Sequence, residues 1–332
     1  MNFRIAIATL CLGLTTAAAF HARAQQSSAQ ANTQADAQSR RSEMTIRMDT
    51  DLVVIDVTAT DKTGTYIRDL RPEEIQVFED GQERKINFFA INDEVTLSRP
   101  LAVVFALDLS GSLRLDEMAT LRQAAMKFTD LMKGDSVFAA LTFNHKVKIT
   151  QGFTPDPAKI SRAFERMDAF EGSTRIYDAL DRAITMLVGR SAPRTRNGRP
   201  VRRVVVVITD GFDSASIIDR REVIRRANDA GVTIYSVTLP SFALSPTDAA
   251  TRVITPLDAS RVVSATGGQD FSADARDFTP IFKALAEEIR ASYALAYYPD
   301  SRDGKRHELQ IKTSRPGIQI RASRTSYTAP QQ

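Results

Sequence analysis

Residues 101–112 read Leu101-Ala102-Val103-Val104-Phe105-Ala106-Leu107-Asp108-Leu109-Ser110-Gly111-Ser112. From Leu101 to Leu107 no side chain is polar, which suits a parallel strand covered on both faces. The run ends on a carboxylate followed by alternate hydroxyls. Beyond it Leu115, Met118, Leu121, Ala125, Phe128 and Met132 recur at three- and four-residue steps, the spacing of one helix face. A buried strand that feeds an amphipathic helix is the repeating unit of an α/β fold.

The same alternation continues outward. Val137 to Phe143 is expected as the next strand, Val147 to Thr150 as a short edge strand, and 158–168 as a helix. A further helix starts near Thr174 and carries Ile176, Leu180, Ala183, Ile184, Leu187 and Val188. Val204 to Ile208 is the most apolar strand and is expected at the centre. Helix 219–230, strand Val232 to Leu239, a helix near 256–266, a short strand Gln269 to Phe271 and helix 277–291 complete the series. Such repetition implies right-handed crossovers and a doubly wound, mostly parallel sheet flanked by helices over 98–291.

The flanks read differently. In 49–97, Leu52, Val54 and Asp56-Val57-Thr58 form a β-branched extended run. Ile75-Gln76-Val77-Phe78 and Ile86-Asn87-Phe88-Phe89 flank Asp80-Gly81, a tight-turn pair, and are expected to form a small antiparallel unit. In 292–326, Tyr293 to Tyr298, His307 to Lys312 and Ile318 to Ala322 are again β-like. The first strand of the α/β unit begins, and its last helix ends, at one pole. The N- and C-terminal β segments are therefore expected to meet in a small β-sandwich into which the α/β unit is inserted.

Residues 1–24 combine Arg4, an apolar stretch from Ile5 to Phe20 and Ala22-Arg23-Ala24, the pattern of a signal peptide cleaved after Ala24. A periplasmic or secreted protein is the expectation, with a retained anchor as the alternative; the apolar stretch falls short of the about 20 residues a span needs and nothing later approaches that length, so no transmembrane segment is expected in the mature chain. The lone cysteine, Cys11, lies in that segment, so the mature chain is expected to hold neither a disulfide nor a thiolate-bound metal. Residues 25–48 are rich in Gln, Ser and Ala and read as a disordered linker. The 44 basic and 40 acidic residues nearly balance, which does not indicate nucleic-acid binding.

The chemistry concentrates at strand ends. Asp108, Ser110 and Ser112 follow the first apolar strand, Asp210 follows the central one, and Gly172-Ser173-Thr174 opens a helix. Ligands in open α/β sheets bind beyond the carboxyl ends of the strands. Carboxylates and hydroxyls are hard donors that suit Mg²⁺, with Mn²⁺ or Ca²⁺ as alternatives, rather than zinc. Neutral hydroxyls would leave the ion's charge only partly compensated and a position open to an acidic group from outside. Taken alone, Asp108, Ser110 and Ser112 suit helix N-capping equally well; Thr174 and Asp210 tip the reading to metal.

These residues resemble a known family. Phe105 to Ser112, Gly172-Ser173-Thr174 with Asp178-Ala179-Leu180, and Val205 to Gly211 look like the three segments of the metal-ion-dependent adhesion site of von Willebrand factor type A domains, across roughly 100–291. The resemblance implies Ser110, Ser112 and Thr174 as ligands, Asp108 and Asp210 binding directly or through water, and a protein partner whose Asp or Glu completes the shell. The flanks (Val57 to Asp61, Glu74 to Gly81, Tyr297-Tyr298-Pro299 and Asp303-Gly304-Lys305) resemble exported bacterial proteins related to this domain.

Other readings stay open. A structural or assembly component of the cell envelope, in which the metal only rigidifies loops, would need the same residues. An enzyme is not expected: outside the leader the histidines are His145 and His307, and no Gly-rich phosphate loop, Ser-x-x-Lys or Cys–His arrangement is present. Asp213 reads as a solvated loop carboxylate, with a supporting place behind the metal ligands as the alternative. The stretch 190–203, with Arg190, Arg194, Arg196, Arg199, Arg202 and Arg203, reads as a solvated basic loop at the pole away from the metal, with an anionic lipid or polymer as the alternative. Loop 240–256 falls on the metal face and is expected to help select the partner.

Overall fold

The computed structural model describes residues 52–91, 99–109, 115–132, 136–165, 172–196, 199–209, 213–238, 261–272 and 278–331. Within them the strands are β1 (Val53–Thr60), β2 (Ile75–Glu79), β3 (Gln82–Arg84), β4 (Phe88–Ile91), β5 (Leu101–Asp108), β6 (Val137–Phe143), β7 (Val147–Thr154), β8 (Thr195–Arg196), β9 (Arg199–Pro200), β10 (Arg202–Thr209), β11 (Val232–Thr238), β12 (Asp270–Ser272), β13 (Ser292–Tyr297), β14 (Arg306–Thr313), β15 (Gln319–Ala322) and β16 (Ser326–Thr328). The helices are α1 (Leu115–Leu131), α2 (Pro157–Glu165), α3 (Ile176–Val188), α4 (Arg220–Ala230), α5 (Val262–Ala265) and α6 (Thr279–Arg290). The expected leader and linker, 1–48, and loop 240–256 lie outside the described residues.

Six strands form the main sheet in the order β12-β11-β10-β5-β6-β7. All pairings are parallel except β6 with β7. The chain starts in the middle with β5, winds one way through β6 and then the other way through β10, β11 and β12, so the sheet is doubly wound as expected. Strand β5 explains the layering. Its side chains alternate between faces. Leu101, Val103, Phe105 and Leu107 pack with α1, α2 and α6, while Ala102, Val104 and Ala106 pack with α3, α4 and α5. On the first face Phe105 meets Phe128 and Phe164 edge-on, each at 5.9 Å between ring centres.

The flanks form two four-stranded sheets, β15-β1-β13-β4 and β16-β14-β2-β3. Val53, Ile55, Val57, Tyr293, Leu295 and Tyr297 of one share a core with Ile75, Val77, Leu309 and Tyr327 of the other. N- and C-terminal segments thus build one sandwich. The α/β unit leaves it after β4 and returns through β13, and these two strands are partners, with Ile91 opposite Tyr293.

One local expectation is corrected. The turn at Asp80-Gly81 joins β2 to β3, which is Gln82–Arg84, not to the run beginning at Ile86. Phe88–Ile91 crosses to the other sheet and pairs with β13. A run with apolar residues on both sides is useful between two sheets, and the hairpin partner is the charged edge instead.

A second correction concerns the basic stretch. Arg190 and Arg194 are exposed, as a solvated loop requires. Arg202 is not: it is 2% exposed, donating to the Ile289 carbonyl at 3.0 Å, Ser292 Oγ at 2.7 Å and Tyr235 Oη at 3.0 Å. Its Nε lies 3.7 Å from Asp56 Oδ2, and Arg99 pairs with the other oxygen of the same carboxylate. The strand begins two residues earlier than its apolar run, which carries Arg202 under the sandwich. Nearby, Glu288 of α6 is fully buried and receives Thr58 Oγ1 and the Arg321 guanidinium. The two halves of the molecule are therefore joined through buried ion pairs.

Removing one partner of a buried pair strands the other charge. Asp56→Ala should lower stability by about 3–5 kcal/mol, read from urea unfolding; a loss below about 1 kcal/mol would mean that Arg99 and Arg202 find other acceptors.

Candidate functional site

The site is built where the winding reverses, between β5 and β10, the usual ligand position in such sheets. Leu107 and Ile208 are in register, so the next residues, Asp108 and Thr209, stand side by side. Thr209 Oγ1 donates to Asp108 Oδ2 at 2.6 Å, and Asp108 is only 2% exposed. A carboxylate so deeply placed at a strand end is held ready rather than dissolved in solvent.

Further bonds link the neighbouring loops. Leu109 N–H donates to the Phe143 carbonyl at 2.7 Å, tying the end of β5 to the β6–β7 turn. In that turn His145 lies against Gly172: a Cβ there would come within 2.8 Å of Nδ1, and Gly172 has φ +97°, which favours glycine. Two residues on, Thr174 N–H donates to Ser214 Oγ at 3.0 Å, and its carbonyl accepts the N–H groups of Ser214 and Ala215 at 2.9 and 3.1 Å. Ser214 follows β10, and β10 returns to Asp108 through Thr209. The circuit is closed.

Thr174 itself is 7% exposed, yet its hydroxyl bonds to none of the described residues. The structure thus ties the loops of Asp108 and Thr174 into one frame. Ser110, Ser112 and Asp210, the other expected ligands, lie outside the described residues. Among the described residues no three His, Cys, Asp or Glu side chains gather as a metal cluster, and of the five expected ligands the described ones are the Asp108 carboxylate and the Thr174 hydroxyl.

Sequence reasoning missed the supports. Nothing in the sequence pattern singles out Thr209. Asp213, expected as a solvated carboxylate, is a brace: Oδ1 accepts Tyr177 N–H at 3.3 Å and Ser216 Oγ at 2.6 Å. Asp178 N–H donates to Ser216 Oγ at 3.1 Å, while Asp178 Oδ1 accepts the N–H groups of Ile217 and Ile218 at 3.0 and 2.9 Å. The first turn of a helix leaves N–H groups without internal partners, and the loop after β10 supplies them to α3. The signal was available in Asp213-Ser214-Ala215-Ser216, a run of short polar groups suited to bonding backbone. Ile217, held by this bracing, is 82% exposed.

A family model described as von Willebrand factor type A domain matches residues 102–271, slightly more than half of the 332 residues. The chain belongs to the von Willebrand factor type A domain family. Human matrilin-3 is 28% identical over 153 residues, covering 43% of this chain and 30% of that protein. Inter-alpha-trypsin inhibitor heavy chain H3 of Mesocricetus auratus is 31% identical over 117 residues, covering 34% of this chain and 13% of that protein. The chain thus spans less than a third of these curated relatives. A von Willebrand factor type A structure from Catenulispora acidiphila has a TM-score of 0.47 at 11% identity, over 86% of this chain and 75% of that one. The type A match ends at Phe271, so the flanking sandwich lies largely outside it. Among the described residues no helix is long and apolar enough to cross a membrane.

Thr209→Val keeps the shape of the side chain and removes its donor. Leaving a buried carboxylate oxygen with one bond fewer should cost about 1–3 kcal/mol in chemical unfolding. An unchanged midpoint would show that the bond does not hold Asp108.

Proposed function

We propose that this chain is an exported protein-binding module that holds a divalent cation between Asp108, Ser110, Ser112, Thr174 and Asp210 and offers it to an acidic side chain of a partner protein. The observation that carries this reading is the pairing of a buried, Thr209-anchored Asp108 with a buried Thr174 whose hydroxyl is unspent, on loops bonded into one frame. Hard oxygen donors of this kind fit Mg²⁺ best, with Mn²⁺ and Ca²⁺ as alternatives. When bound, the ion supplies a positive charge that attracts a carboxylate. The chain's own residues orient it: Thr209 fixes one Asp108 oxygen, and the Asp178 and Asp213 braces hold the loop after β10 against α3.

A protein-binding role agrees with membership of the type A family. Ile217, exposed on the loop braced against α3, offers the partner an apolar contact. The signal-peptide pattern in 1–24 supports export to the periplasm or beyond the cell. A reading as an envelope component whose metal only stiffens loops uses the same residues and differs in the effect of chelation.

Calorimetry with MgCl₂ should give saturable heat for the wild type and at least about tenfold weaker binding for Asp108→Ala, the loss typical of disturbed metal sites. A partner captured from cell envelopes in Mg²⁺ should be released by EDTA. Absence of heat with Mg²⁺, Mn²⁺ and Ca²⁺ would end the metal reading, and a partner retained in EDTA would leave the ion a structural part only.

A further inference from the structure

Two arginines meet at the turn between α4 and β11. Arg203 donates through Nη1 to the Ala230 carbonyl at 2.7 Å. The Arg324 guanidinium lies against the next residue, Gly231, so closely that a Cβ there would overlap it. Both Nε atoms are buried without an acceptor, and no hydrogen bond or ion pair from the described residues engages the Arg324 side chain. Both residues are half-buried, so their other N–H groups reach the surface, and a guanidinium that is not paired with a carboxylate favours a charge-assisted bond to an anion.

The surrounding carboxylates are already engaged. Asp56 is shared by Arg99 and Arg202, Glu288 pairs with Arg321, and Asp229 pairs with Arg225 while also receiving the N–H and hydroxyl of Thr328. Burial pushes the Arg203 guanidinium below its usual value, and repulsion from Arg194 and Arg99 adds to this. Arg324 is pushed down to about 10 by burial, with Asp56 opposing the fall and Arg203 deepening it. Arg190 and Arg194 stand exposed on the segment before β10 and extend the basic surface outward.

We infer that this turn is an anion site, where Arg203 and Arg324, with Arg194 at the rim, bind a phosphate-type oxyanion, either free phosphate or the phosphodiester of a lipid headgroup. Planar guanidinium forks match the paired oxygens of phosphate, and a tetrahedral oxyanion can serve two forks at once. The site stands at the amino end of β11, away from the Asp108 loops at the carboxyl ends of the strands, and does not depend on the metal reading.

Full-length protein titrated with sodium phosphate, against sodium chloride at matched ionic strength, should bind saturably and melt several degrees higher only in phosphate. Arg324→Gln should weaken phosphate binding by about tenfold, the loss of one bidentate pair, while its Mg²⁺ titration stays as in the wild type. Arg194→Gln, at an exposed position, provides a variant that folds whatever happens at Arg324 and should weaken binding by about two- to fivefold. Sedimentation with phosphatidylglycerol vesicles but not phosphatidylcholine vesicles, reversed by added phosphate, would assign the headgroup; phosphate binding without sedimentation would assign the free ion. A wild type that responds to phosphate no more than to chloride, or phosphate affinity unchanged in both variants, would overturn the inference.

Discussion

A carboxylate buried at the end of a β-strand must be given donors or a counter-charge, because an isolated charge in that position is prohibitive. Asp108 is such a group, and much of the architecture at this end of the molecule answers to it. The parallel register of β5 and β10 brings Thr209 alongside. The β6–β7 turn holds the following backbone through Leu109. The helix α3 is anchored by the loop after β10 through Asp178 and Asp213, so the hydroxyl of Thr174 comes to the same rim. Each loop is positioned by its neighbour rather than by its own sequence.

The opposite pole follows a different electrostatic rule. There, the junction with the sandwich is held by Asp56, which faces Arg99 and Arg202, and by Glu288, which takes Arg321 and the Thr58 hydroxyl. A buried carboxylate held by a hydroxyl marks one end of the sheet and buried arginines with their paired carboxylates mark the other, although the chain as a whole is nearly neutral with a net charge of +4. Such separation is invisible in composition and arises only when the fold sorts the residues. It also explains why Arg202 and Arg203, adjacent in sequence, differ so sharply: one faces Asp56 beneath the sandwich, the other faces the α4–β11 turn.

The alternation of strand and helix, the central place of β10 and the joining of both flanks in one sandwich were legible because burial on two faces, on one face and on none leave distinct periodicities. Asp108 and Thr174 were legible for a second reason, since they lie where strands end and helices begin. What stayed hidden depends on partners distant in the chain. Thr209 is an ordinary strand residue until register sets it beside Asp108. Asp213 becomes a brace only because α3 arrives next to it. Arg202 belongs to a basic run by sequence and to a buried ion pair by topology. The hairpin after Asp80-Gly81 misled because Phe88 and Phe89 suit either sheet, and only the competition of β13 for their backbone decides between them.

The pairing of Ile91 with Tyr293 has a mechanical consequence. Both covalent connections of the α/β unit leave from the amino end of β5, far from the rim where Asp108 sits. A tug on anything gripping that rim therefore runs lengthwise down the central strands toward a single anchorage. Under such load the bonds between β5 and β10 are sheared together instead of being peeled one at a time. The unit is seated to withstand tension along the axis of its own sheet.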